Sequence, residues 1–260
     1  MKLSTIMKKI GSDFEKIFPK ENTVVMLHAH ADDESFLSAG IINEFVARNY
    51  NLLLIYLAAG LVEKEEITVI RRKELSSSLK ILGAQNVEFL EYCEPKYRKD
   101  GKPLYLQLIK EVSDKVKTII EKKGIKHYTL FSYDKNGGYG NKDHLAVHKV
   151  GRLLFKNSPQ ASLLFEVTIP RDIYLCWFEK NKNNVPESYL PKLNYWSAEF
   201  GLKDREIDYF YLLNSAQIKL KKKALRKHVS QIKNTEFPLS LTDADFIELF
   251  GREYFAYIDR

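Results

Sequence analysis

Two cysteines among 260 residues, Cys93 and Cys176, are too few and too far apart for a CxxC site or a disulfide framework. Both stand in apolar or aromatic surroundings, the usual setting of reduced, buried thiols in a cytosolic protein. No apolar run approaches the roughly 18 residues that a membrane helix needs. The first twenty residues carry lysines but no continuous apolar stretch ending in small residues, so they do not read as a secretion signal. These absences lead to the expectation of a cytoplasmic protein with no integral membrane segment. Repeats and low-complexity tracts are lacking too. So are zinc-finger spacings and RNP-like runs, which leaves the net charge of +7 and pI near 9.1 as the only argument for nucleic acid. We expect no nucleic-acid partner. The densest basic run is Lys219, Lys221, Lys222, Lys223, Arg226 and Lys227. It shares its segment with Ile218, Leu225, Val229 and Ile232 at helical spacing and reads as the solvated face of a helix.

What is present is ordinary for a globular chain: 45% hydrophobic and 29% charged residues. The length suits one domain over 1–260 that needs no disulfide staples. From residue 23 to about 168, short apolar runs alternate with periodic ones. Thr23–Leu27, Leu52–Leu57, Val87–Tyr92, Tyr128–Ser132 and Leu163–Thr168 read as strands. Between them lie helical stripes: Leu37, Ile41, Ile42, Phe45 and Val46, then Ile67, Ile70, Leu75, Leu79 and Leu82, then Leu108 to Ile120. Gly83 and Gly124 stop the last two. Such alternation predicts a Rossmann-like α/β fold, a mainly parallel sheet with helices on both faces. Ligand sites in such sheets form beyond the carboxyl ends of the strands. From about 170 to 214 the pattern changes to an aromatic-rich strand and loop excursion on the substrate side, where rings such as Trp177 or Trp196 are either core and edge cover or stacking platforms for a ligand. A C-terminal helix is predicted over about 215–233.

Two clusters carry the chemistry, each directly after a strand. The first is His28-Ala29-His30-Ala31-Asp32-Asp33-Glu34. The second runs from Tyr133 and Asp134 through Gly137-Gly138-Tyr139-Gly140-Asn141-Lys142-Asp143-His144 and continues into a helix bearing His148. Four of the six histidines are in or beside them. Zinc takes imidazole nitrogen and carboxylate oxygen, and two His plus one Asp leave a position open for water. A second carboxylate, adjacent but unligated, could take a proton from that water. The glycines allow close backbone approach and aim His144 inward. The spacing of His144 and His148 leaves joint ligation open. An acidic helix start at Asp32–Ser35 and ordinary hydrogen bonding of the histidines are the bland alternatives. His228, on an apolar helix, reads as structural.

His30-Ala31-Asp32-Asp33-Glu34 resembles the AHPDDE signature of the PIG-L/LmbE-like family of zinc-dependent N-acetylglucosaminyl deacetylases, and Gly138–His144 is similar to its GYGHPDH segment. Weaker matches, Arg71-Arg72-Lys73-Glu74-Leu75 with Leu82-Gly83 and Lys223–Gln231, follow in the family's order, so that the resemblance spans roughly 23–255. It implies zinc held by His30, Asp33 and His144, with Asp32 as general base, Tyr139 as a donor to the oxyanion and Arg71 facing the substrate. The implied reaction is removal of an acetyl group from an N-acetyl sugar conjugate, a small molecule or glycoconjugate, and a homo-oligomer stays open. Two positions depart from the family. Ala31 replaces a proline, and Asn141 stands where most relatives carry a second histidine, so Asn141 joins the catalytic candidates with a changed capability: an amide donates a hydrogen bond but exchanges no proton near neutrality. The alternative function is a catalytically weak or inactive relative that binds zinc or sugar.

Overall fold

The structure is a computed structural model that describes residues 7–58, 65–90, 98–99, 102–103, 108–183 and 200–260. Its main sheet has eight strands: β1 (Lys8–Ile10), β2 (Thr23–His30), β3 (Leu52–Ala58), β4 (Val87–Phe89), β5 (Tyr128–Tyr133), β6 (Ala161–Thr168), β7 (Tyr209–Leu212) and β8 (Arg252–Ile258). They lie in the order β1-β7-β8-β6-β5-β2-β3-β4. All neighbours are parallel except β8, which runs antiparallel to both β6 and β7. The predicted α/β class, with a mainly parallel sheet between helices, is the fold observed.

The central strands read as mainly apolar runs because both of their faces are covered. In β2, Val24 and Met26 point to one side and Val25 and Leu27 to the other. The first side packs against Ile41, Ile42 and Phe45 of a helix at Ala39–Ala47, and against Leu75, Leu79 and Leu82 of a helix at Glu65–Leu82. The second packs against Val112, Val116 and Ile120 of the helix Ile109–Lys122, and against Ala146, Val147, Val150 and Leu154 of the helix Lys142–Asn157. Of the predicted second stripe, Ile70 is instead exposed.

The structure adds elements at both ends. Phe14 and Phe18, ahead of β2, insert their rings against Phe45, Phe131 and Phe165. The aromatic excursion contains a helix at Arg171–Asn181 and then β7. Residues 184–199, with Trp196, lie outside the described residues. Trp177 is buried, packs on Phe178 and Phe237, and donates its indole N–H to Asp245 Oδ1 at 2.9 Å. It is a core ring and cannot stack on a ligand.

The C-terminal helix spans Ser215–Leu225, shorter than the sequence pattern suggests, and two further helices, Ile232–Ser240 and Asp243–Phe250, lead into β8. One member of the basic run departs from the solvated face. Lys221 is buried and pairs with Glu253 of β8 at 3.0 Å. The same carboxylate accepts the backbone N–H groups of Gly40 and Ile41, both at 2.8 Å. A charge that enters the core is tolerated only with such partners. No helix among the described residues is long and apolar enough to cross a membrane.

Candidate metal centre and active site

β2 and β5 are parallel neighbours, so the two clusters emerge side by side at the carboxyl edge of the sheet. His30 is the last residue of β2. The chain then turns through Asp32, whose φ of 149° is rare for a residue with a side chain, and enters a short helix at Asp33–Leu37. Asp33 Oδ2 closes this turn by accepting the His30 backbone N–H at 2.7 Å.

After β5, Asp134 Oδ1 accepts the N–H groups of Asn136 (2.7 Å) and Gly138 (3.2 Å). Gly137 and Gly138 then take positive φ values of 62° and 63°. A Cβ on Gly137 would stand 3.1 Å from Leu145 N, so the turn packs tightly onto the helix that follows. Asn141 caps that helix, its Oδ1 accepting the Asp143 N–H at 2.7 Å, which sets His144 in the first turn.

His30, Asp33 and His144 each offer a ligand atom, and these atoms lie within 4.8 Å of one another. All three residues are buried. His144 Nε2 is 3.2 Å from Asp33 Oδ1, and His30 Nδ1 is 3.6 Å from Asp33 Oδ2. The other nitrogen of His30, Nε2, lies 2.8 Å from Asp143 Oδ2. Both ring nitrogens of His144 are buried without a well-formed hydrogen bond among the described residues, and Nε2 has only the Asp33 carboxylate beside it. Poorly compensated burial of imidazole nitrogen is costly, and a cation between the two histidines and the carboxylate would relieve it. The donor set of two imidazoles and one carboxylate, with a second carboxylate behind His30, fits a metal site with an open position.

Burial would push the Asp33 carboxyl up, but His144, His30 and the Tyr133 hydroxyl outweigh it and hold Asp33 well below the usual carboxylate range. Asp32 is the opposite case. Burial, reinforced by the Asp33 charge, pushes it up to about 6 against the pull of Arg71, His30 and His228. The two adjacent aspartates are thus pushed in opposite directions by their surroundings. Tyr133 stacks on the His144 ring, with centroids 4.1 Å apart. Tyr139 meets the His144 ring edge-on at 5.0 Å. Burial and then the two aspartates push the Tyr139 phenol far above its ordinary value, so it stays a neutral donor. Arg71 is buried and donates from Nη2 to the Ala31 carbonyl at 3.1 Å, bracing the Asp32 turn.

All of the predicted site residues are therefore brought to one place. His148 is not among the three that could share a metal. Its Nδ1 lies 3.0 Å from the Tyr133 carbonyl and 2.9 Å from Glu166, which also binds Arg152. Sequence reasoning misses the support beneath the site. Glu34 is fully buried and accepts from Ser35 Oγ (2.7 Å), Ser78 Oγ (2.8 Å), Tyr56 Oη (3.3 Å) and the Asp32 N–H (3.1 Å). His228 Nε2 lies 2.8 Å from the same carboxylate. His228 is structural, as expected of it, but it serves the turn that carries Asp32. The only sequence signal was that an acidic residue follows two others at a strand end. Asp143 was part of the second cluster, yet its bond to His30 could not be read from spacing.

A family model described as PIG-L, GlcNAc-PI de-N-acetylase, matches residues 25–155, about half of the chain, including both clusters. A mycothiol S-conjugate amidase of Streptomyces coelicolor is 25% identical over 154 residues, 52% of each chain. A 1D-myo-inositol 2-acetamido-2-deoxy-alpha-D-glucopyranoside deacetylase of Mycolicibacterium smegmatis is 23% identical over 234 residues, 80% of each. The chain thus spans about half the length of the first of these relatives and four-fifths of the second. Among solved structures, the deacetylase of the A40926 pseudoaglycone superposes with a TM-score of 0.63 at 11% identity, over 92% of this chain and 98% of that one. The N,N'-diacetylchitobiose deacetylase of Pyrococcus horikoshii gives 0.52 at 18%, over 91% and 84%. At these identities the superpositions speak for the fold. With the family match lying across the strands and loops that build the site, the chain belongs to the PIG-L family, the GlcNAc-PI de-N-acetylase family.

Proposed function

We propose that the chain is a zinc-dependent hydrolase that removes an acetyl group from an N-acetylated sugar conjugate. The observation that carries this reading is the buried His30–Asp33–His144 group with a second, unligated carboxylate, Asp32, beside it. Relatives named for deacetylation of an acetamido sugar support the substrate class.

His30, Asp33 and His144 hold the ion. When bound, zinc supplies Lewis-acid polarisation of the amide carbonyl and eases ionisation of water. Asp32 takes the proton of the attacking water, whose oxygen forms the new bond to the carbonyl carbon. Tyr139 donates a hydrogen bond to the oxyanion that develops. The C–N bond then breaks, and Asp32 returns its proton to the departing nitrogen, so that acetate and a free amine leave. Asp32 serves as base and then acid because Asn141 exchanges no proton. Arg71 holds the Asp32 turn and lines the substrate side. A purely zinc- or sugar-binding relative has no use for an unligated carboxylate beside the ligands, which favours catalysis.

Amine release from a panel of N-acetyl sugars, nucleotide sugars and glycolipids tests the reading. Asp32→Asn keeps shape and zinc but removes the base. Turnover is expected to fall on the order of 10²-fold or more. An Asp32→Asn protein as active as the parent rules out the role given to Asp32.

A further inference from the structure

We infer that Asn141 acts through Tyr139: it is a positioning residue that turns the phenolic O–H into the site. This rests on the deacetylase reading above and deepens it, because it says how a chain with asparagine at this position supplies an oxyanion donor.

The argument is one of hydrogen-bond valence. An asparagine side chain has one accepting end and one donating end. Here the accepting end is committed, since Oδ1 takes the Asp143 backbone N–H at 2.7 Å and caps the helix Lys142–Asn157. A backbone N–H only donates, so the amide cannot be flipped without losing the cap. The other end, Nδ2, lies 3.2 Å from Tyr139 Oη. An NH₂ group also only donates, so at this contact the phenol oxygen accepts. Its own proton must then point elsewhere. The Tyr139 ring stands edge-on to His144 at 5.0 Å, so the phenol lies beside a proposed metal ligand. The backbone supports the same arrangement: positive φ at Gly138 and Gly140 lets residue 139 lean over its own helix cap. The cap and the phenol are therefore linked by one side chain whose polarity keeps the O–H from pointing back at residue 141.

The linkage predicts what an isosteric change of polarity does. Asn141→Asp keeps the cap, which aspartate makes as well as asparagine. It replaces the donor facing Tyr139 by an acceptor, so the phenol turns its proton back toward residue 141. The second hydrogen of the Asn141 amide offers a competing account, direct contact with the substrate oxygen, and a double-mutant cycle separates the two.

The cycle compares wild type, Tyr139→Phe, Asn141→Asp and the double variant, all zinc-loaded, in amine release from N-acetyl-D-glucosamine. Tyr139→Phe is expected to lower kcat on the order of 10²-fold, the usual effect of losing one oxyanion donor. Asn141→Asp should lower kcat by a similar factor with KM, zinc content and the melting temperature of the metal-free protein unchanged. In the Tyr139→Phe background it should change kcat by less than about twofold. Should Asn141→Asp fail to fold, Asn141→Ser carries the test, because serine still caps but is too short to reach the phenol. The same cycle is read on the dissociation constant of acetohydroxamic acid, which offers a carbonyl oxygen to the donor without turnover. If wild type binds the hydroxamate but releases no amine from any sugar, the deacetylase reading fails while the cycle on binding still decides the linkage. The inference is overturned if Asn141→Asp leaves both kcat and hydroxamate binding unchanged. It is overturned equally if the loss persists in full in the Tyr139→Phe background.

Discussion

The loop after β2 is held mainly by side chains from distant parts of the chain, whereas the loop after β5 combines bonds within itself with a few to Gly201 and Glu206. Glu34 gathers Ser35, Tyr56, Ser78 and His228 onto the turn that carries Asp32, and Arg71 adds a bond to the Ala31 carbonyl. In the second loop, Asp134 binds the N–H groups two and four residues on, two glycines take positive φ, and Asn141 caps the helix that begins beside it. The first loop thus depends on the folded molecule for its shape. The second owes more of its shape to its own sequence, with Gly201 bonding Asn136 and the Gly138 carbonyl from outside. The difference suits their tasks: a non-glycine residue at a φ of 149° must be over-determined by its surroundings, while a glycine turn is near its own preference.

The largest effect should come from cutting the distant support. Glu34→Ala leaves a buried imidazole, three hydroxyls and the Asp32 N–H without their acceptor, a loss of about 3–5 kcal/mol for a broken buried pair. Urea denaturation of the metal-free protein measures it, and a loss below about 1 kcal/mol would show that the network is not a support. The pH dependence sharpens the point. Burial opposes ionisation of Glu34, but the His228 pair outweighs it and holds the carboxyl at about 2, below its ordinary 4.5. Its stabilisation is therefore complete above about 4.5 and lost as pH falls toward about 2. His228 is raised: burial lowers it, and Glu34 more than compensates. Its share is present below 6.5 and lost as pH rises through the folded value. Glu34→Gln should flatten the acid limb.

The local loop should yield less. Gly138→Ala forces an alanine to a φ of 63° with a ψ of −100°, outside the left-handed helical well, which costs about 1–3 kcal/mol, although the added methyl meets nothing closer than His144 Nδ1 at 3.6 Å. Because the strain sits next to a ligand, zinc affinity should fall together with stability. A Gly138→Ala protein with the parent's melting temperature and zinc affinity would mean that the turn is not set by its glycines.

The same contrast explains what could be read in advance. The strands from Thr23 to Thr168 were legible because both-face burial writes continuous apolar runs. The proposed ligand trio was legible because its members belong to two clusters at the carboxyl ends of neighbouring strands. The glycine loop announced itself by composition. By contrast, Glu34 and His228 are 194 residues apart, and nothing local marks them as partners. Lys221 looked like its neighbours until Glu253 came to it across the fold. β8 escaped notice because it enters antiparallel between β6 and β7, outside the alternation of strand and helix. Trp177 could be weighed as core or ligand platform, and only its contacts with Phe178, Phe237 and Asp245 decided for core.

Metal analysis of the purified protein and four variants tests the central claim most directly. About one zinc per chain is expected, the stoichiometry of a mononuclear site with three protein ligands. His30→Ala, Asp33→Ala and His144→Ala should each lose most of it, and His148→Ala, whose imidazole belongs to Glu166 and the Tyr133 carbonyl, should keep it. A His148→Ala protein stripped of zinc beside a His144→Ala protein that retains it would contradict the account.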